Sequence, residues 1–408
     1  MFHFVVASTF YTASLEKPLE RALGDSGHAA SVLCVPYNQL QSFLLDPRSV
    51  VPEGTPCTVL LLLRVEDLIR LDLAALAGKT DGAQSACLCL LRERELQFLD
   101  VLSGISQLQM TVMVMPAGLG AYDTGFLGNA PRVTEYKIAA EVRRQQKHLL
   151  VDWREFAKAE KLSTWLSPTA DRLGHVPFTP AGLQAVADFF VSRLDSLPTV
   201  TIEANSSAKD GLTLEKFLGS LDVVVSIAPL TSQDEQTARN LVRHTTHFIN
   251  LTGAGWDKAL TAGDTFAESW VVRVSDRFGN YGISGAVVFR IVAGKMLVDF
   301  FFLICPVLGK QVEHAVFSWM ADVAEQHGAK VIEVPFVQGR DNKVLAGPLS
   351  RLSDELNIGH FTDLPPGAEK KFLLNVLDMK ERIAGETLNR EAFATTISKM
   401  KVSELATK

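Results

Sequence analysis

The chain has 408 residues, 46 acidic and 40 basic side chains, and a formal net charge of −6. That length suits two domains, or three small ones, each with a sizeable core, and the charge balance excludes a bulk electrostatic pull toward nucleic acid or a membrane surface. Five cysteines (Cys34, Cys57, Cys87, Cys89, Cys305) are an odd number, and all but Cys57 sit in or beside apolar strand-like runs, the ordinary place for a small buried thiol. A reducing cytoplasm fits this usage. Met1–Ala7 is apolar but lacks a basic flank and is too short for a signal peptide or a membrane span, so the expectation is a soluble, cytoplasmic protein.

Residues 1–198 repeat a strand-then-helix rhythm. The apolar runs FHFVVAS (2–8), HAASVLCVPY (28–37), CTVLLLLRV (57–65), QMTVMVMP (109–116) and KHLLVDW (147–153) are each followed by a polar or helical stretch. Near-continuous apolar strands alternating with helices predict a doubly wound parallel sheet covered on both faces. Ser14–Leu19 opens one helix with Pro18 near its first turn, and Thr179 caps another with Pro180 at its first position. The segment PTVTIEANSSAKDGL (198–212) is polar and turn-rich, and places a linker at 199–212. A second α/β domain, 213–377, then begins with a strand over Leu221–Ile227 and a helix over Asp234–Phe248. The charged tail, 378–408, reads as helical.

Trp270–Gln338 reads as three strands, an amphipathic helix and a fourth strand. The third strand, Met296–Ile304, is apolar apart from Asp299 and runs into Cys305-Pro306-Val307-Leu308-Gly309-Lys310 where the helix begins. A strand delivering a glycine turn to a helix N-terminus gathers free N–H groups and the positive end of a dipole, which suits a phosphate. In the helix, Val312, Ala315, Val316, Trp319, Met320, Val323 and Ala324 make a core-facing stripe. Asp276-Arg277-Phe278-Gly279 reads as a hairpin turn, with Arg277 suited to bidentate recognition of a carboxylate or phosphate.

Open α/β sheets bind ligands beyond the carboxyl ends of their strands. In residues 1–198 those ends are Ser8-Thr9, Tyr37-Asn38 and Glu66-Asp67, with the turn Asp171–His175 before the last helix. A hydroxyl after the first strand, with an Asp and a His before the last helix, resembles SGNH-type hydrolases. That resemblance implies a catalytic Ser8, His175 and Asp171, the His taking the serine proton and the Asp fixing its tautomer. This chain differs in lacking the Gly-Asp-Ser context, in its Asp-x-x-x-His spacing, and in having Arg64-Val65-Glu66-Asp67 for the family's Gly-x-Asn-Asp. The plainer reading is that Ser8 satisfies backbone groups and that Asp171 and His175 pin a turn.

The 270–338 segment resembles the GNAT fold of N-acetyltransferases, whose loop between strand and helix cradles the pyrophosphate of acyl-CoA. Ser275–Gly282 (SDRFGNYG) and Thr246–Thr252 (THFINLT), with VASTFYTASLEKPL, VPYNQLQSFLLDP and ADRLGHVPFTP upstream, are similar to FkbH-like proteins of polyketide and non-ribosomal peptide pathways. The HAD-type Asp-x-Asp-x-Thr phosphatase motif of that family is missing. The resemblance implies acyl transfer to or from an acyl-CoA or acyl-phosphopantetheine thioester, with an acyl or peptidyl carrier protein and a small-molecule acceptor as partners, and no metal, nucleic acid or membrane. It also implies donor binding by Val307, Leu308, Gly309 and Lys310, substrate binding by Asn250, Asp276 and Arg277, and a catalytic Asn342 whose plainer role is a helix cap. The loop's usual arginine aligns with Pro306 and its last glycine with Gln311, and no tyrosine falls near Leu349, where GNAT enzymes often carry the one that protonates the departing thiolate. Two rival readings remain: an ester or thioester hydrolase using Ser8, and a module that binds a carrier protein without catalysis.

Overall fold

The computed structural model describes residues 2–70, 73, 81–105, 108–119, 121, 124–157, 162–203, 214–244, 248–250, 268–277, 279–337, 369–377, 379–380 and 401–402. The chain divides into two compact units, Met1–Leu214 and Glu215–Lys408, and both are α/β.

In the first unit, strands β1 (Phe2–Ser8), β2 (Ala30–Cys34), β3 (Pro56–Arg64), β4 (Met110–Met115) and β5 (Leu149–Val151) run parallel in the order β2-β1-β3-β4-β5. Along β3 every residue after Pro56 is buried, as a sheet covered on both faces requires. Alternate residues share a face. Phe4 and Val6 of β1, Leu60 and Leu62 of β3, and Met113 and Met115 of β4 pack against Leu19 and Leu23 of helix α1 (Glu16–Asp25) and other helical residues, including Val186 and Phe190. Burial of each such side chain contributes about 1.5–3 kcal/mol. Helices α2 (Asp81–Gly104) and α3 (Ala130–Arg144) follow β3 and β4.

Three features depart from the sequence reading. Asp171–His175 is no open turn: Ser167 caps a short helix, α4 (Pro168–Gly174), and His175 ends it in the left-handed conformation at φ 55. Cys87 and Cys89 lie in helix α2 rather than in or beside a strand, because a short apolar run does not by itself distinguish helix from strand. Val200–Thr201, within the expected linker, forms strand β6 antiparallel to Pro56–Cys57. Helix α5 (Pro180–Val191) starts as its sequence predicts, the Thr179 hydroxyl accepting from the Gly182 N–H at 3.1 Å.

The second unit opens one residue into helix α6 (Leu214–Ser220) and holds β7 (Val224–Pro229), β8 (Phe248–Asn250), β9 (Glu268–Asp276), β10 (Gly279–Val292), β11 (Lys295–Ile304), β12 (Val331–Val337), β13 (Glu369–Asn375) and β14 (Lys401–Val402). Their order is β13-β12-β11-β10-β9-β7-β14, antiparallel except for β11–β12 and β7–β14. Helix α7 (Ser232–His244) stops short of the predicted Phe248, whose apolar neighbourhood joins β8 instead. Most of the tail read as helical lies outside the described residues; its Lys401–Val402 pairs with Ser226–Ile227.

Helix α8 (Val312–Gln326) makes the crossover from β11 to parallel β12, and its predicted stripe is buried throughout. These two strands pair only through Lys295–Leu297 and Val331–Glu333, at their starts. Beyond that they fork. Phe302 and Leu303 pair with β10 on one edge and with Asn250 and Ile249 of β8 on the other, so β8 lies in the fork. Gly285 is required where β10 bulges against β9, because a Cβ there would meet the Phe302 carbonyl oxygen of β11 at 2.5 Å. Among the described residues no helix is long and apolar enough to cross a membrane.

Candidate functional site

In the order β2-β1-β3-β4-β5 the topology reverses between β1 and β3, and the carboxyl ends of those strands are where a ligand crevice belongs. Thr9 follows β1 there. Its hydroxyl accepts from the Arg64 N–H at 3.0 Å and donates to Asp67 Oδ2 at 3.0 Å. Arg64, the last residue of β3, is fully buried; it donates to both Asp67 oxygens at 2.6 and 2.9 Å and to both Asp171 oxygens at 2.8 Å. Arg70 reaches the same two carboxylates at 2.5 to 2.9 Å and the Asp171 carbonyl at 3.0 Å, and the Ala121 N–H adds a bond to Asp171 at 2.8 Å. Two guanidinium groups and two carboxylates thus neutralise one another out of water. Burial works against the charge on Arg64, but Asp67, Asp171 and Glu66 outweigh it and hold the guanidinium above its ordinary value. Burial pushes the Asp67 carboxyl up, and Arg64 pulls it back.

Beside this network sits a second pair of acids. Glu66 Oε1 accepts from the Gly118 N–H at 3.1 Å, while its buried Oε2 has no partner. Glu135 accepts from the Ala117 N–H. Burial raises both carboxyls, Glu135 to about 7 with Glu66 adding to the effect, so the turn after β4 hangs from two acids that resist ionising.

The residues expected to form a triad are placed differently from one. The Ser8 hydroxyl donates to the Phe10 carbonyl at 2.5 Å and accepts from the Phe10 N–H at 3.0 Å. Asp171 is engaged by the two arginines. The His175 ring stacks on Tyr37 with centroids 5.1 Å apart, and its Nδ1 faces Arg70 NH1 at 2.9 Å. Asp171 and His175 therefore share one network through Arg70, and Ser8 stands outside it.

In the second unit, Gly285 pairs with Leu303, which brings the tip of the β9–β10 hairpin to the end of β11 where the turn into α8 begins. Three side chains meet there. Lys310 Nζ donates to Asp276 Oδ2 at 2.8 Å and to Tyr281 Oη at 2.7 Å, and the Tyr281 hydroxyl donates to Asp276 Oδ2 at 2.7 Å. The Asp276 side chain is fully buried and that of Lys310 is 15% exposed. Two expected site residues from separate segments thus converge, and Tyr281 joins them. Arg277 turns away: its guanidinium donates to the Ser220 carbonyl at 3.3 Å, at the end of α6. Asp299, the exception in the third strand, is paired bidentately with Arg290 at 2.7 and 2.9 Å.

The turn itself is less open than its sequence suggests. The Val307 and Leu308 side chains are core, 0% and 2% exposed, so only their backbone is available to a ligand. Gly309 takes φ 71 and Gln311 φ 66, and the Gly309 N–H donates to Glu313 Oε1 at 2.8 Å. Asn250 sits opposite Phe302 in the fork, and Asn342 lies outside the described residues. Sequence reasoning missed Arg70, Glu135, Tyr281 and Glu313 as participants. Tyr281 stood within the SDRFGNYG string, and Glu313 is an acid in the first turn of α8, where negative charge suits the helix dipole. Among the described residues no group of three or more His, Cys, Asp or Glu is placed to hold a metal ion.

No protein-family model and no curated protein matches the sequence. Among solved structures, a ribosomal-protein alanine N-acetyltransferase from Escherichia coli is similar to 37% of this chain over 94% of its own, at 11% identity and TM-score 0.27. An IAA acetyltransferase from Bacillus cereus matches 37% of this chain over 99% of its own, at 10% identity and TM-score 0.25. The N-terminal part of the protein BF1531 from Bacteroides fragilis, containing a phosphatase domain complexed with Mg, matches 47% of this chain at 9% identity and TM-score 0.34; the match spans about half (51%) of that structure. At such identities and scores no chemistry is carried across.

Proposed function

We propose that the second unit transfers an acyl group from a pantetheine-type thioester to a small-molecule amine or alcohol. The observation that carries this reading is the Lys310–Tyr281–Asp276 trio at the end of β11. Acyl transfer needs the acceptor held against the thioester carbonyl, one proton removed from it, and the departing thiolate neutralised. The acceptor N or O bonds to the carbonyl carbon, the C–S bond breaks with its electron pair on sulfur, and the acceptor's proton ends on that sulfur. Tyr281 Oη is the group that meets the reactants and relays the proton. Buried Asp276 accepts it through Tyr281 and returns it by the same route to the departing sulfur, while Lys310 holds the phenol in place and offsets the negative charge developing on that sulfur.

The sequence resemblance supplies the finer setting: a donor on the carrier protein of a polyketide or non-ribosomal peptide pathway, in the cytoplasm. Acyl-CoA is the other donor of this chemical class. Its pyrophosphate fits the Gly309 turn poorly, because a carboxylate already holds the N–H it would use. In the first unit Asp171 is engaged by the arginine network rather than by His175, so the acyl-transfer reading places no hydrolytic step there. The test is transfer from an acyl-pantetheine thioester to a panel of amines and alcohols by the full chain. Tyr281→Phe is expected to slow the chemical step about 10²–10⁴-fold with donor affinity unchanged, and an undiminished rate would remove Tyr281 from the mechanism.

A further inference from the structure

We infer that Glu313 is a specificity-determining residue that bars pyrophosphate-bearing donors from the turn at Gly309, so that the preferred donor is a thioester of pantetheine without a pyrophosphate. This rests on the acyl-transfer reading and names its substrate class.

A helix N-terminus at the end of a strand is a ready anion site because its first N–H groups lack partners and its dipole is positive there. In this chain the anion is built in. Pro306 has no N–H to give. The Gly309 N–H is taken by Glu313 Oε1 at 2.8 Å, and Glu313 is only 3% exposed. Gln311, at the cap of α8, occupies the left-handed region at φ 66 and offers no side-chain cap, so the first-turn carboxylate closes the turn instead. Lys310, the cation of the turn itself, is matched in charge by Asp276 at 2.8 Å.

A pyrophosphate entering here displaces a buried carboxylate from its hydrogen bond and then shares the space with that charge. Pantetheine meets no such opposition. Its amides and hydroxyl are neutral, and its N–H and O–H groups are donors that a carboxylate accepts. The single phosphodiester of a carrier-borne arm sits at the far end of the arm from the thioester, away from the trio.

The experiment is calorimetric titration of the full chain and of Glu313→Gln with three probes: inorganic pyrophosphate, acetyl-CoA and S-acetyl-pantetheine. Glutamine keeps an acceptor for the Gly309 N–H and removes the charge. The wild type is expected to bind acetyl-CoA no tighter than S-acetyl-pantetheine. Glu313→Gln is expected to gain about tenfold or more for pyrophosphate and acetyl-CoA, about 1.4 kcal/mol, with S-acetyl-pantetheine unchanged. A folded Glu313→Gln protein with unaltered pyrophosphate affinity overturns the assignment and leaves Glu313 as a plain structural cap. Should the variant fail to fold, the wild-type comparison decides: acetyl-CoA bound about tenfold tighter than S-acetyl-pantetheine rejects the inference. A pyrophosphate gain in the variant, with no transfer from any thioester by the wild type, keeps the exclusion by Glu313 and rejects acyl transfer, so the two failures are distinct.

Discussion

Arg70 NH1 lies 2.9 Å from His175 Nδ1, and that contact decides which imidazole nitrogen carries the proton. A guanidinium only donates. Nδ1 must therefore accept, and a neutral His175 holds its proton on Nε2. A serine-activating histidine needs the reverse arrangement, with Nδ1–H given to a carboxylate and a lone pair on Nε2. Here the carboxylate of Asp171 is given to Arg64 and Arg70.

From this wiring, Ser8→Ala and His175→Ala are each expected to leave thioester turnover by the full chain unchanged. Ser8→Ala should cost about 1 kcal/mol of stability through the lost bonds to Phe10. Release of free acid by the wild type that is lost in a folded Ser8→Ala protein would restore the hydrolase reading.

Arg64 should be among the most sensitive positions in the first unit. Its side chain is fully buried between Asp67 and Asp171. Arg64→Leu leaves two buried carboxylates to share the single Arg70 guanidinium and is expected to lower the unfolding free energy by about 3–5 kcal/mol in urea titration. A cost below about 1 kcal/mol would mean that Arg70 alone satisfies both acids.

Glu135 makes stability depend on pH with a definite sign. Its carboxyl rises from an ordinary 4.5 to about 7 on folding, through burial and then Glu66, so the folded chain holds that proton more tightly than the unfolded one. The contribution is fully present below about 4.5 and is lost as pH rises through about 7. His148 works in the opposite sense, lowered to about 4 by burial and Lys147, with stability lost as pH falls from 6.5 toward that value. The comparison with Glu135→Gln isolates the acid: between pH 5 and 8 the wild type should lose about 1–2 kcal/mol relative to the variant, allowing for partial solvation of the carboxyl. Parallel pH profiles of the two proteins would refute the assignment.

Much of the framework was legible because strand-length apolar runs such as Cys57–Val65 admit few structures, and because Thr179-Pro180 carries its helix start in two residues. The core stripe of α8 followed from spacing alone. What sequence could not supply was pairing across distance. Arg64 and Asp171 are 107 residues apart and Asp276 and Lys310 are 34 apart, and no local periodicity announces either meeting. Local propensity also misplaced His175, whose left-handed conformation is uncommon for a residue with a Cβ and depends on the end of α4. The turn at Gly309 reads as open because a strand, a glycine and a helix start suit an anion, and the bond from its N–H to Glu313 is seen only in the folded turn.

Lys310 and Asp276 separate structure from chemistry in the second unit. Lys310→Met removes the cation between Tyr281 and Asp276, and should reduce the rate of acyl transfer while shifting its pH optimum upward, since the phenol loses its positive neighbour. Lys310→Arg should restore part of both. An unshifted pH profile in Lys310→Met would confine Lys310 to a structural ion pair.

Acyl transfer through the Tyr281 site is tested most directly by intact-mass measurement on a pantetheine thioester, or an acyl-loaded carrier protein, mixed with the full chain and an amine or alcohol acceptor. The acyl mass is expected to leave the donor and appear on the acceptor one for one with the freed thiol, and Tyr281→Phe to suppress this transfer while still binding the donor. Release of free acid with Tyr281→Phe unimpaired, or a donor bound but never discharged, would contradict it.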